Sequence, residues 1–368
     1  MGQMKKLGIV ALNWNNLGGS HTWAITCYDM FKRCFPEWQV RIYTVNGSGK
    51  RGKNDNYIPD MIYLNCSRNG AKYENELNDN DLIYFTTPGF GYGSDKVDSP
   101  GWEIVLEHLS APFIVGFLSC WEKKIYAKYY KFLNHKMLKG IQFTSKYARE
   151  AYKDDKTIYD KDWFVGDWVD ISDASLNSVV NKRSLIIATS RVIATKGTQH
   201  LVDKIYQLSQ NGIDIHIHGA ISFYSFRKDL ENKIGKELFD FIYQGEYSPR
   251  DIKTIMDPAM FLFEYVSTKN IESGKHYQLN YTIVEGMKYG VIPILSKHSV
   301  PEDIKDGINA LLIDKDDDWV LRLKDYSIES KMRLKVAEAN MEYIKDRFSD
   351  DVAFVNFKKF IKRNGLMK

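Results

Sequence analysis

The amino-acid sequence predicts an α/β fold made of two doubly wound domains. Short apolar runs alternate with amphipathic stretches through all 368 residues. Most of these runs are uninterrupted, which is typical of strands buried on both faces of a parallel sheet. The polar stretch Gly166–Lys182 divides the runs into two series, and a chain of this length can form two hydrophobic cores. The alternation of strand and helix in each series predicts Rossmann-like domains.

The predicted strands are short, and helical or polar segments separate them. They are Leu7–Leu12, Val40–Val45, Met61–Leu64, Leu82–Phe85, Phe113–Leu118, Gln142–Thr144 and Trp163–Val165, then Leu185–Thr189, Ile213–His218, Met260–Tyr265, Val291–Leu295 and Ala310–Ile313. Helical periodicity covers Trp23 to Phe31, His200–Leu208, Phe226–Lys236, Tyr281–Tyr289 and Asp351–Arg363. We therefore place the domains at residues 1–170 and 171–350, followed by a helix with one broad apolar face in residues 351–368.

Charge and cysteine content narrow the class of protein. There are 51 Lys and Arg against 47 Asp and Glu, a net charge of +4, so only a local excess of cations would indicate a polyanionic partner. The four cysteines form no CxxC pair and no zinc-site spacing, which favours a reduced, cytoplasmic protein. The first apolar run is too short for a signal peptide, and no run approaches the length of a membrane span.

Two cations follow a predicted buried strand in the second series. Arg191 and Lys196 lie five residues apart in a segment that ends with Gly197. Two fixed cations suit a diphosphate. The alternative is a pair of solvated charges on a loop.

Glu285 is predicted at the head of a short helix that leads into the next buried strand. The segment around it is otherwise apolar, so we expect its carboxylate to point into a cleft. A buried carboxylate requires hydrogen-bond donors, and the two hydroxyls of a ribose would supply them. The alternative is a carboxylate that only favours the positive end of the helix dipole.

Two further loops and the end of one strand suit contact with a nucleotide. Gly18 and Gly19 precede the first predicted helix, where the backbone can approach a bound group closely. Gly245 and Tyr247 lie between a predicted strand at Phe241–Gln244 and a helix expected to begin near Pro249, where main-chain contact with a nucleobase is expected. His218 lies at the carboxyl end of a strand, where contact with the phosphate or sugar of a ligand is expected. A tight turn, a helix cap and a structural histidine are the respective alternatives.

The stretch Trp121–Glu150 is locally basic. Ile125, Tyr129, Phe132, Leu133 and Met137 have the spacing of an apolar helical stripe, which leaves the lysines on other faces. A solvated surface helix is the simplest interpretation. If this excess of cations binds a polyanion, the partner is DNA or an anionic membrane surface. The candidate acceptor-binding residues are Lys123, Lys124 and Lys128.

Two acidic clusters, Asp160-Lys-Asp162 and Asp314–Asp318, fall in polar turns. Their composition favours solvated loops over metal ligands, so we predict no metal site from this sequence.

These segments in this order resemble the retaining GT-B glycosyltransferases and, among them, the DNA α-glucosyltransferases of T-even bacteriophages. The resemblance implies two Rossmann-like domains that face each other across a cleft, an N-terminal acceptor domain, a C-terminal nucleotide-sugar domain and a last helix that crosses back to the N-terminal domain. It is carried by the spacing Arg191–Lys196–Gly197, by Leu279–Glu285 with the following small-residue turn and Ile292-Pro293, and by Asp81–Pro88.

The resemblance also implies roles for individual residues. Arg191 and Lys196 would hold the donor diphosphate and stabilise it as it leaves, Glu285 would bind the ribose, and Gly19 would lie beside the phosphates and sugar. Two positions depart from the family pattern. Tyr277 stands where the family has an acidic residue, and Val115–Glu122 lacks the family's histidine, so Ser119 or Glu122 is the candidate there.

The implied reaction moves a sugar from a nucleotide sugar, UDP-glucose, to a hydroxymethylated pyrimidine in DNA, with no metal strictly required. If the chain is phage-encoded, its compartment would be the host cytoplasm. A lipid-linked or polysaccharide acceptor at a membrane surface is the alternative within the same class. A non-catalytic module that binds nucleotide or nucleic acid is the alternative from another class. No protein partner is implied.

Overall fold

The chain forms two compact units. In the computed structural model, unit 1 comprises residues 1–168 together with 350–368, and unit 2 comprises residues 169–349. The structure describes residues 4–11, 19–45, 61–64, 71–86, 108–117, 133–150, 152–176, 178–189, 192–221, 223–247, 251–266, 279–314 and 318–366.

Unit 1 contains a seven-stranded parallel sheet in the order β3-β2-β1-β4-β5-β6-β7. Its strands are β1 (Lys6–Ala11), β2 (Gln39–Val45), β3 (Met61–Leu64), β4 (Leu82–Phe85), β5 (Phe113–Phe117), β6 (Leu138–Phe143) and β7 (Trp163–Val165). Its described helices are α1 (Gly19–Cys34), α2 (Ala71–Asn78), α3 (Lys146–Glu150), α4 (Lys156–Tyr159) and, at the end of the chain, α13 (Asp350–Arg363).

Helix α13 supplies part of the core of unit 1. Phe357 is fully buried, and its ring centroid lies 4.7 Å from that of Phe31 in α1 and 5.2 Å from that of Phe164 in β7. At the carboxyl end of the helix, the Arg363 guanidinium donates hydrogen bonds to the carboxylate of Asp162. The last described helix therefore folds with the sheet formed by the first part of the chain.

Unit 2 contains a six-stranded parallel sheet in the order β10-β9-β8-β11-β12-β13. Its strands are β8 (Arg183–Thr189), β9 (Asp214–His218), β10 (Tyr243–Gly245), β11 (Ala259–Glu264), β12 (Ile292–Ser296) and β13 (Leu311–Ile313). Its helices are α5 (Thr198–Asp203), α6 (Ile205–Gln210), α7 (Tyr224–Ile234), α8 (Lys236–Ile242), α9 (Ile252–Met256), α10 (Tyr281–Lys288), α11 (Trp319–Ile328) and α12 (Ser330–Phe348).

Both sheets have the doubly wound strand order, which confirms the predicted α/β class. In each sheet the order reverses beside the first strand of the unit, between β1 and β4 in unit 1 and between β8 and β11 in unit 2. Ligands of open α/β sheets bind beyond the carboxyl ends of the strands at such a switch point. The switch point of unit 2 is therefore the first place to look for a site.

Some local predictions are wrong, among them the following three. The helix expected over His200–Leu208 is two helices, because the Lys204 N–H bonds to Leu201 O and closes the first one. The strand expected at Phe241–Gln244 begins only at Tyr243, because Ile242 is buried as the last residue of α8. Met137 is not on a helix, because its carbonyl accepts a sheet-type hydrogen bond from the Phe113 N–H.

No helix in the described part of the chain combines the length and apolar character needed to cross a membrane.

Candidate functional site

Polar residues end three neighbouring strands of unit 2. Thr189 is the last residue of β8, His218 ends β9 and Glu264 ends β11. Thr189 and His218 are register partners across the β8–β9 pair. Because the strands are parallel, these three side chains share one edge of the sheet, at its switch point.

A fixed cation lies beside the end of β11. Lys196 closes a single 3₁₀ turn, Ala194–Lys196, which follows β8. Its Nζ lies 3.2 Å from Oε1 of Glu264, a residue that is nearly buried. The side-chain amide of Asn280 donates a hydrogen bond to the same oxygen. The Lys196 ammonium is therefore held by a nearly buried carboxylate that has two donors.

Gly197 allows this turn to approach β11 closely. Its φ is +73°, and a Cβ at this position would lie 2.2 Å from the carbonyl oxygen of Tyr265. The backbone conformation would strain an L-residue here, and its Cβ would also clash with the main chain of Tyr265. Gly197 is therefore required for the close contact between the turn that carries Lys196 and the main chain just after β11.

Glu285 lies in the second turn of α10, so its predicted place at the helix head is wrong. Asn280 is the N-cap, in an extended conformation, and the helix begins at Tyr281. The helix-dipole alternative is removed, because that effect is confined to the first turn. Burial raises the pKa of the Glu285 carboxyl to about 8; the nearby ammonium of Lys288 acts against this rise and Asp173 adds to it. No residue that the structure describes donates a hydrogen bond to this carboxyl.

Tyr247 brings Glu285 together with the ends of β8 and β9. Burial raises the pKa of its phenol, the Glu285 carboxyl raises it further, and the hydroxyls of Thr189 and Thr282 act in the opposite direction. Its ring centroid lies 6.3 Å from that of His218, with the rings nearly perpendicular. Burial, followed by the proximity of His216, lowers the pKa of His218 to about 4, so its imidazole is neutral at physiological pH. These groups form a mostly uncharged, polar cluster that can recognise a ligand by hydrogen bonds.

The remaining predicted residues are placed as follows. Gly245 ends β10 with φ +83°, and its carbonyl accepts a hydrogen bond from the Gly219 N–H. Gly19 is the first residue of α1, in unit 1. Seven candidates lie outside the described residues, as does Tyr277: they are Gly18, Ser119, Glu122, Lys123, Lys124, Lys128 and Arg191.

Sequence reasoning missed several residues of this site. Glu264 carries a signal, because a single carboxylate ends an otherwise apolar buried strand beside the switch point. Asn280, Thr189 and Thr282 carry no comparable signal, since short polar residues at the ends of strands and helices are common. Within the described residues, no group of three or more His, Cys, Asp or Glu side chains could hold a metal ion.

Solved structures with the same fold cover almost the whole chain. Anabaena Alr3699/HepE in complex with UDP-glucose has a TM-score of 0.74 at 13% sequence identity, over 97% of this chain and 99% of that chain. An alpha-glucosyltransferase in complex with UDP-glucose and DNA containing an abasic site has a TM-score of 0.74 at 13% identity, over 98% and 99%. A glycosyltransferase from Rickettsia africae ESF-5 has a TM-score of 0.67 at 14% identity, over 98% and 99%. The fold of this chain is therefore GT-B, as the sequence predicts.

No protein-family model and no curated protein matches the chain.

Replacing Gly197 with alanine should lower the free energy of unfolding by roughly 3 kcal/mol or more, since strain at positive φ adds to a clash with the Tyr265 carbonyl. Gly212→Ala is the matched control. Its φ is +69° but no atom lies within 4 Å of the new Cβ, so it should cost only about 1 kcal/mol. Urea denaturation measures both. Equal losses in the two variants would show that the contact with Tyr265 has no energetic weight.

The stability of the protein should fall as the pH rises from about 5 to about 8, in part because of Glu285. Its folded-state pKa is about 8, above the ordinary value for the unfolded chain, so the native state retains a proton that the unfolded state has lost. Glu285→Gln should remove this loss and raise the free energy of unfolding at pH 9 relative to wild type by on the order of 2–4 kcal/mol.

Thermal or urea unfolding of wild type and Glu285→Gln between pH 5 and pH 9 measures this effect. Glu231→Gln is the control. Arg227 and Lys228 lower the pKa of the Glu231 carboxyl, so this substitution should lower the free energy of unfolding at high pH, opposite to the effect of Glu285→Gln. Parallel pH profiles for wild type and Glu285→Gln would contradict the raised pKa.

Proposed function

We propose that this protein is a retaining glycosyltransferase that moves glucose from UDP-glucose to a hydroxyl group of DNA. The observation that carries this proposal is a held cation, Lys196, beside the end of β11, and a carboxyl with no described donor, Glu285, beside Tyr247, which also neighbours Thr189 at the end of β8. Solved structures with this fold contain UDP or UDP-glucose. The chemistry of the site fits the two ends of such a donor.

At the phosphate end, Lys196 together with Arg191 would hold the diphosphate. Glu264 and Gly197 fix the position of the Lys196 turn before any ligand arrives. A cation that is already in place can neutralise charge as it develops on a leaving group, without the cost of reorganisation.

At the nucleoside end, Glu285 would accept hydrogen bonds from both ribose hydroxyls. Such donors stabilise the ionised form of a carboxyl whose pKa burial has raised, so ribose binding would favour loss of its proton. His218, Tyr247 and Gly245 would contact the base, through a neutral imidazole, a phenol and the main chain.

The proposed chemistry places the acceptor hydroxyl on the same face of the sugar as the leaving group. The bond between the anomeric carbon and the diphosphate oxygen breaks through an oxocarbenium-like transition state, and a bond to the acceptor oxygen forms. The principal requirement is to stabilise the departing diphosphate, which Arg191 and Lys196 would meet. We expect the activity to survive treatment with a chelator.

A hydroxymethylated pyrimidine in DNA is the proposed acceptor. A similar solved structure, an alpha-glucosyltransferase, contains UDP and a 13-mer DNA with a HMU base. The excess of cations within Trp121–Glu150 suits a DNA backbone. Enzymes that modify a base in a duplex usually extrude it from the stack, so the target base would leave the helix.

Lys196→Ala and Arg191→Ala should each reduce turnover about 10²–10³-fold, because each removes a positive charge that stabilises the leaving group. Release of UDP from UDP-glucose in the presence of acceptor measures the effect. Lys233→Ala is the control, since this lysine pairs with Asp203 on the surface of unit 2. Near-normal turnover in both site variants would refute the assignment.

The acceptor can be identified by mass spectrometry. The protein is incubated with UDP- and GDP-sugars and with DNA that contains or lacks hydroxymethylated pyrimidines, and we expect a hexose only on the modified DNA. DNA binding should weaken steeply with salt. Donor hydrolysis without transfer to DNA, combined with flotation on anionic vesicles, would instead favour a membrane-associated acceptor. The absence of both donor hydrolysis and sugar transfer would indicate a non-catalytic binding module.

A further inference from the structure

The cation of the proposed site is held by a specific partner. Lys196 Nζ lies 3.2 Å from Glu264 Oε1, and the two side chains are 23% and 10% exposed. Asn280, immediately before α10, donates a second hydrogen bond to the same oxygen. The main chain adds a further link, since the Tyr265 N–H points to the Lys196 carbonyl at 3.4 Å.

The two partners differ in rigidity. Glu264 ends a strand in which every residue is buried, and that strand pairs on both sides. Lysine has a flexible four-carbon stem with a compact charge at its end, so an unheld lysine would sample many rotamers. The carboxylate therefore determines where the Lys196 ammonium lies.

Holding the cation in this way has a cost for ligand binding. A carboxylate beside the ammonium repels an anionic diphosphate and offsets part of the attraction that Lys196 exerts. Glu264 is therefore unlike a residue that simply improves affinity. Its charge opposes binding of the nucleotide in the ground state, while its contact with Lys196 favours the geometry needed when the leaving group departs.

We propose that Glu264 is a positioning residue for sugar transfer, which acts by fixing the ammonium of Lys196 at the leaving diphosphate. This role presupposes the sugar-transfer activity proposed above. It predicts that removing the charge of Glu264 separates nucleotide affinity from turnover, and that the loss of turnover depends on the presence of Lys196.

The test uses the full chain with Glu264→Gln, Lys196→Ala and the double variant, in calorimetric titration with UDP and in turnover of UDP-glucose. For Glu264→Gln we expect UDP to bind as tightly as to wild type or more tightly, while kcat falls at least about tenfold. In the Lys196→Ala background, Glu264→Gln should lower kcat no further, because the residue it positions is gone. Glu231→Gln is the matched control, a buried carboxylate with two cationic partners on α7.

Equal weakening of UDP binding and turnover in Glu264→Gln, or additive losses in the double variant, would overturn the positioning role. If Glu264→Gln does not fold, Glu264→Asp is the second variant, because it keeps the charge but withdraws it from Lys196. It should lower kcat without weakening UDP binding. An unchanged kcat would count against the positioning role. A wild-type protein that neither binds UDP nor turns over any donor would refute the proposed function itself, and this outcome is read from the wild type alone.

Discussion

The parallel pairing of β8 with β9 and β11 is the constraint on which the candidate site depends. The central residues of β8 and β11 are buried apolar side chains, so polar residues are placed at the ends of these two strands. The register then decides which ends meet: Thr189 is level with His218, and Ile187 is level with Leu262, two residues before Glu264. A shift of one strand by one residue would reverse its faces and separate these groups.

The electrostatics of the described site follow from burial. At neutral pH, burial favours the protonated form of the Glu285 carboxyl and the neutral form of the His218 imidazole. Lys196 and Glu264 form an ion pair beside the end of β11. The site thus has an uncharged part beside β8 and β9 and a charged part beside β11. This division corresponds to a ligand that has a neutral ring system at one end and an anion at the other.

Much of the fold could be predicted from the sequence, because uninterrupted apolar runs identify strands with two buried faces. The strand β10 was harder to place, since only three residues form it and Gln244 is exposed. The start of α10 agrees with the predicted periodicity from Tyr281, but Glu285 was misplaced at its head, because Asn280 occupies the N-cap position and puts Glu285 in the second turn. The contact between Lys196 and Glu264 joins residues 68 positions apart, and only the strand order brings them together. Local patterns identify the elements, whereas the pairing of elements determines the site.

The placement of α13 affects the order in which the protein can fold as it is synthesised. Unit 1 takes Phe357 into its core, yet the ribosome makes this residue only after all of residues 169–349. A domain usually folds once its whole sequence has emerged. Unit 2 can therefore reach its native state first. Until α13 is synthesised, the sheet of unit 1 still exposes the aromatic surface around Phe31, Phe35 and Phe164. During that interval the nascent chain would be a natural client for chaperones that shield apolar surface.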